Sequence, residues 1–147
     1  MLRSIIFRNG GVKAMAKILI VDDSPLILAF LEEALRSWGH EVFRASDGYS
    51  VVPTFNKCNP DLIVLDYNMP ASSGLEVYER IRTLYAGQRV PIIFLSATSR
   101  FELEMVIPFG ELVRCCDKPV DLEGLRTNIN EMLVAAGLTP RQVEVGL

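Results

Sequence analysis

Cysteine and histidine are too scarce in this sequence to build a zinc centre or a disulfide framework. The chain holds three cysteines, Cys58, Cys115 and Cys116, and one histidine, His40; that set does not make a zinc site, and its cysteine count is odd. The cysteines therefore read as reduced thiols. Neighbours on a strand point to opposite faces, so Cys115 and Cys116 are expected to act as small hydrophobes on two sides of a sheet. A run of Lys and Arg is also missing. With a formal net charge of −3 and a pI near 5.2, the chain has no electrostatic footprint for nucleic acid, and none is expected to bind to this chain alone. No apolar run approaches bilayer length, and MLRSIIFRNGGVKAM has too short an apolar patch and no small-residue cleavage site for a signal peptide. The expected location is the cytoplasm, with no membrane partner.

What is present suits one domain with a sizeable core: 147 residues, 50% hydrophobic and 22% charged. Short β-type runs alternate with helical patterns: KILIV (17–21), EVFRA (41–45), DLIVL (61–65), VPIIFL (90–95) and ELVRCC (111–116). That alternation predicts an α/β fold of parallel βαβ units. The runs at 17, 61 and 90 are almost continuously apolar, as central strands covered on both faces should be, whereas Glu41 and Arg44 suit an edge.

Helix ends are marked by residues with a mechanism. Ser24-Pro25 supplies an oxygen cap and a φ-locked first residue, and Gly39 stands where a left-handed end is needed, predicting a helix over 25–38. Ser73 and Glu76 form a capping box ahead of Leu75, Tyr78, Ile81 and Tyr85, predicted to line one face. Asp121 caps a last helix whose Leu122, Leu125, Ile129, Met132 and Leu133 face inward. Pro53 should leave the second helix short or kinked, and a fourth, near 99–107, is cut off by Pro108. His40, in the loop after Gly39, is expected to be solvated, and Arg100, Glu102 and Glu104 to form a solvated helix face. Residues 1–15 read as a disordered leader or the product of an upstream start, 16–136 as the domain, and 137–147 as a tail.

In a parallel sheet the strand C-terminal ends share one edge, and a ligand site forms where the strand order reverses. Asp22 and Asp23 follow the first strand, Asp66 the third, Ser96 the fourth and Lys118 the fifth. One acid at a strand end is usually a cap or a turn residue. Three acids, a hydroxyl and a lysine on one edge form a pattern that caps do not explain. Crowded carboxylates repel one another unless a cation offsets them, and a hard divalent ion such as Mg²⁺ takes oxygen ligands while leaving room for a phosphoryl oxygen. The cluster reads as a phosphoryl-transfer site with Asp66 as nucleophile, Lys118 as a point charge and Ser96 as a hydroxyl donor.

The motifs ILIVDDSP, DLIVLDYNMPASSG, PIIFLSA and DKP, in that order, resemble the receiver domain of two-component response regulators, over roughly residues 16–136. The resemblance implies a flavodoxin-like, doubly wound five-stranded parallel sheet in the order 2-1-3-4-5 with five flanking helices. It implies Asp66 as the phosphorylated residue and Asp23 and Asp66 as carboxylate ligands of Mg²⁺, with Asp22 acting through water and Asn68 giving its backbone carbonyl. Ser96 would be the switch hydroxyl, Ala97 the residue whose N–H meets the phosphoryl group, and Lys118 the family's lysine, in a cis bond to Pro119. The donor would be a sensor histidine kinase or phosphotransfer protein, the readout a shifted conformational equilibrium acting on a downstream protein target, and the chain a monomer or phosphorylation-dependent dimer. The chain departs from the family at Cys115, where relatives carry Tyr or Phe, and at Val120, where Phe often follows Lys-Pro; the output surface is expected to be altered.

Two other functions compete. A phosphohydrolase of the haloacid dehalogenase type needs a second acid two residues after the nucleophile, where this chain has Asn68. A receiver-like module that binds partners without phosphorylation would have no use for crowded acids. The favoured expectation is a switch rather than a dedicated enzyme, catalysing only its own phosphorylation and slow hydrolysis.

Overall fold

The computed structural model describes residues 16–138, together with the backbone of Ile5–Ile6 and Pro140–Arg141, which pair in parallel. Those pairs fall within the expected leader and tail; apart from them and residues 137–138, both segments lie outside the described residues. Five strands form one parallel sheet: β1 (Lys17–Val21), β2 (Glu41–Ala45), β3 (Leu62–Asp66), β4 (Ile92–Ser96) and β5 (Val113–Asp117), in the order β2-β1-β3-β4-β5. The helices between and after them are α1 (Pro25–Ser37), α2 (Val51–Cys58), α3 (Gly74–Thr83), α4 (Arg100–Glu104) and α5 (Leu122–Ala135). No described helix is long and apolar enough to cross a membrane.

Period-two alternation divides the strand residues between two cores. Ile18, Ile20, Leu62, Val64, Ile93 and Leu95 pack with Leu28, Leu31 and Leu35 of α1 and Leu125, Ile129 and Met132 of α5. Leu19, Val21, Ile63, Leu65, Ile92 and Phe94 pack with Phe55 of α2, Val77 and Ile81 of α3 and Leu103 of α4. Each fully buried aliphatic side chain contributes about 1.5–3 kcal/mol. Cys116 joins the first core and Cys115 the second, on opposite faces as their adjacency requires.

The caps hold as read. Ser24, Ser73 and Asp121 accept backbone N–H groups of Ile27, Glu76 and Gly124, and Gly39 has φ 93°. α2 is short, eight residues, and Pro53 lies in its first turn, where a backbone N–H has no helical partner to lose. α4 is shorter than expected, five residues.

Two expectations are overturned. Tyr85 falls beyond the end of α3, in a 3₁₀ turn, and is 91% exposed. His40 is buried rather than solvated: its Nδ1 accepts the Ala16 N–H at 3.3 Å. Burial, with the Arg126 charge adding to it, lowers the His40 pKa to about 4.

Candidate functional site

The ladder registers that align the strands also align their tips. Asp66 of β3 pairs with Leu95 of β4, and Ser96 of β4 with Asp117 of β5. Asp22, directly after β1, donates its N–H to Ala45 O at 3.2 Å, and Lys118 donates its backbone N–H to Ser96 O at 2.9 Å. The strands thereby deliver Asp22, Asp66, Ser96 and Lys118 to one edge. The Lys118-Pro119 bond is cis.

Carboxylate oxygens of Asp22, Asp23 and Asp66 lie within 4.8 Å of one another. Asp22 and Asp66 are buried and Asp23 is exposed. Asp66 Oδ1 accepts from Lys118 Nζ at 2.7 Å and from the Asn68 N–H at 2.9 Å. Asp22 Oδ1 accepts the Ser24 N–H at 2.9 Å, while its Oδ2 is buried with no hydrogen-bond partner. Burial pushes the Asp22 carboxyl up; the Ser24 N–H opposes this, the Asp66 charge adds to it, Lys118 opposes it and Asp23 adds to it. An all-oxygen donor set with one buried oxygen unsatisfied fits a hard divalent cation such as Mg²⁺.

The α3 N-terminus lies close against the tip of β3, and Gly74 makes that approach possible. A Cβ there would sit 2.6 Å from Tyr67 Cα and 2.9 Å from Asp66 O. Opposite, Asn68 reaches the loop after β4: its Oδ1 accepts the Ala97 N–H at 3.1 Å and the Ser96 hydroxyl at 3.4 Å, and its Nδ2 donates to Thr98 Oγ1 at 3.1 Å. The acids, Asn68 and Lys118 open into a cleft of about 610 Å³ with an apolar rim at Leu26, Ile27, Phe30 and Val120.

Residues 18–130 match the sequence pattern of the response regulator receiver domain. The chain belongs to that family. It is thus a receiver domain of two-component signalling. The receiver is 32% identical over 119 residues to sporulation initiation phosphotransferase F of Bacillus subtilis, covering 80% of this chain and 93% of the relative. It is similar to the chemotaxis protein CheY4 of Vibrio cholerae, at 30% identity and TM-score 0.74 over 81% of this chain and 99% of that one. A second solved relative is the receiver domain of the sensor histidine kinase PA1611 of Pseudomonas aeruginosa, at 26% identity and TM-score 0.71, over 82% of this chain and 99% of that one; its structure has a magnesium ion coordinated in the active site cleft. Several further relatives are longer, and the chain spans 12 to 51% of their length.

The receiver brings together every acid, the hydroxyl and the lysine singled out in its sequence. Ala97 is exposed beside Ser96. Cys115 lies half-buried on β5, on the α4 side of the sheet, and the segment from α4 onward exposes Phe101, Met105 and Val106. Sequence reasoning gave Asn68 a backbone carbonyl at the metal and placed it with Thr98 at the flank of the site, but did not foresee the hydrogen bonds of its side chain. The only available signal was its place two residues beyond Asp66, since its partners lie 28 to 30 residues away.

Proposed function

We propose that this receiver is a phosphorylation-activated switch in which Asp66 accepts a phosphoryl group from a phosphohistidine of a sensor histidine kinase or phosphotransfer protein. The P–N bond of the donor breaks, a P–O bond to an Asp66 carboxylate oxygen forms, and the imidazole nitrogen keeps the electron pair. The observation that carries this reading is the buried Asp66 carboxylate, held at 2.7 Å by Lys118 within a trio of acids that has one buried oxygen unsatisfied. Asp22, Asp23, Asp66 and the backbone carbonyl of Asn68 would hold Mg²⁺, whose charge offsets the acids and the incoming oxygens.

The remaining work falls to the chain. Lys118 holds the carboxylate in place and offers a positive charge to the transferring group. The Ser96 hydroxyl and the Ala97 N–H supply donors for phosphoryl oxygens once they turn from their present acceptor. Phosphorylation then favours whichever arrangement of the β4–α4 loop binds the new oxygens better, a shift set by the difference in affinity between the two arrangements. Such a chain is a switch that catalyses its own phosphorylation and hydrolysis, reporting to a protein target from the α4–β5 side.

Intact mass after treatment with acetyl phosphate tests the reading. An adduct should form with Mg²⁺, fail without it and be absent from Asp66→Asn. No adduct on the wild type would leave a phosphorylation-independent binding module as the better account.

A further inference from the structure

We infer that the Asn68 carboxamide is an internal stand-in for the phosphoryl group, occupying the loop donors that an acyl phosphate on Asp66 would need and competing with it for them. The inference rests on Asp66 being the phosphoacceptor. Asn68 Oδ1 takes both the Ala97 N–H at 3.1 Å and the Ser96 hydroxyl at 3.4 Å. Ser96 Oγ in turn accepts the Thr98 N–H at 2.9 Å, and its one proton faces two acceptors, Asn68 Oδ1 at 3.4 Å and the Thr98 carbonyl at 3.5 Å. The other end of the amide donates to Thr98 Oγ1 at 3.1 Å. One exposed side chain thus presents an oxygen to two donors and a nitrogen to an acceptor, matching the loop at three points.

The backbone fixes this placement. The Asn68 N–H donates to Asp66 Oδ1 at 2.9 Å, so the carboxamide springs from the same turn that holds the acceptor carboxylate. A group bonded to Asp66 and the Asn68 amide therefore seek the same donors. Hydrogen bonds to a charged oxygen are roughly twice as strong as those to a neutral amide oxygen, so phosphorylation displaces the amide. Until then Asn68 bridges the tip of β3 to the loop leading to Ser99, which caps α4 by accepting the Glu102 N–H at 3.3 Å. Asn68 is thereby a positioning residue: it holds the loop in its unphosphorylated arrangement and reduces the fraction of chains ready to accept the group.

The test uses the full chain as wild type, Asn68→Ala and Thr98→Val, with two readouts. The first is amide hydrogen exchange at Ala97 in unphosphorylated protein without Mg²⁺. The second is the rate of Asp66 labelling by acetyl phosphate with Mg²⁺, in which the phosphoryl group leaves acetate for the carboxylate. In Asn68→Ala, Ala97 should exchange roughly five-fold faster, as loss of about one net hydrogen bond implies, and labelling should quicken by a similar factor. Thr98→Val leaves the Asn68 backbone untouched and should move both readouts the same way by less. Unchanged Ala97 exchange overturns the inference, and so does faster exchange with unchanged or slower labelling. Failure of all three chains to label overturns the phosphoacceptor reading and this one with it; exchange, measured without any donor, tells that failure from the others.

Discussion

The Lys118 ammonium reaches Asp66 Oδ1 at 2.7 Å across a strand that lies between them, since β4 separates β3 from β5. Lys118→Met keeps the length of the stem and removes the charge. Labelling of Asp66 by acetyl phosphate should fall about 100-fold or more, the usual result of deleting one stabilising donor from such a site. The stability cost should be well under the ~3–5 kcal/mol of a broken buried pair, because Lys118 is 29% exposed. Intact mass and urea unfolding check the two halves.

Mg²⁺ should stabilise this receiver by occupying the acid cluster. At ten times its dissociation constant, binding to the folded state alone is worth about 1.4 kcal/mol, or roughly 5 °C in melting temperature for a domain of this size. Asp22→Asn and Asp66→Asn should each lose most of that gain, with Ca²⁺ and Mg²⁺ compared in the same thermal melts.

Gly74→Ala should destabilise the chain by about 1–3 kcal/mol, because the new methyl group meets backbone rather than a movable side chain. The backbone in question is Tyr67 Cα at 2.6 Å and Asp66 O at 2.9 Å. The strain falls on Asp66, the proposed acceptor, so labelling should slow more than in an equally destabilised core variant such as Ile129→Val. Rates at matched stability decide it.

The folding stability of the chain should decline in mild acid through His40. Its folded pKa, about 4, lies below the ~6.5 of an unfolded chain, so the unfolded state binds the extra proton. The neutral ring's contribution is complete above pH 6.5 and is lost as pH falls from there toward 4, about 3 kcal/mol in all. His40→Asn should flatten urea-derived stability between those limits.

Much of the fold could be read from the sequence because its signals are local. Apolar runs, caps and the Ser-Pro and Lys-Pro pairs lie within a few residues of what they determine. Strand ends were read early: β3, β4 and β5 each extend one residue beyond the apolar run to Asp66, Ser96 and Asp117. A parallel ladder bonds backbone to backbone and does not stop at the first polar side chain. The cluster of acids, hydroxyl and lysine was legible because sheet topology gathers strand tips. His40 and the Asn68 side chain were not, since each bonds a partner 24 to 30 residues away. Tyr85 failed differently: helical spacing was extended past the point where α3 ends at Thr83.

Because Asp66, Ser96 and Lys118 sit at or just past the tips of three consecutive strands, the spacing among them comes in discrete steps. A one-residue slip moves a tip about 3.3 Å and turns its side chain to the other face. No gradual drift of the strands can retune this chemistry. Insertions in the helices and loops leave the tips where they are, so variation can accumulate around the sheet, on Leu26, Phe30, Phe101 and Met105, while the distance from carboxylate to ammonium stays fixed.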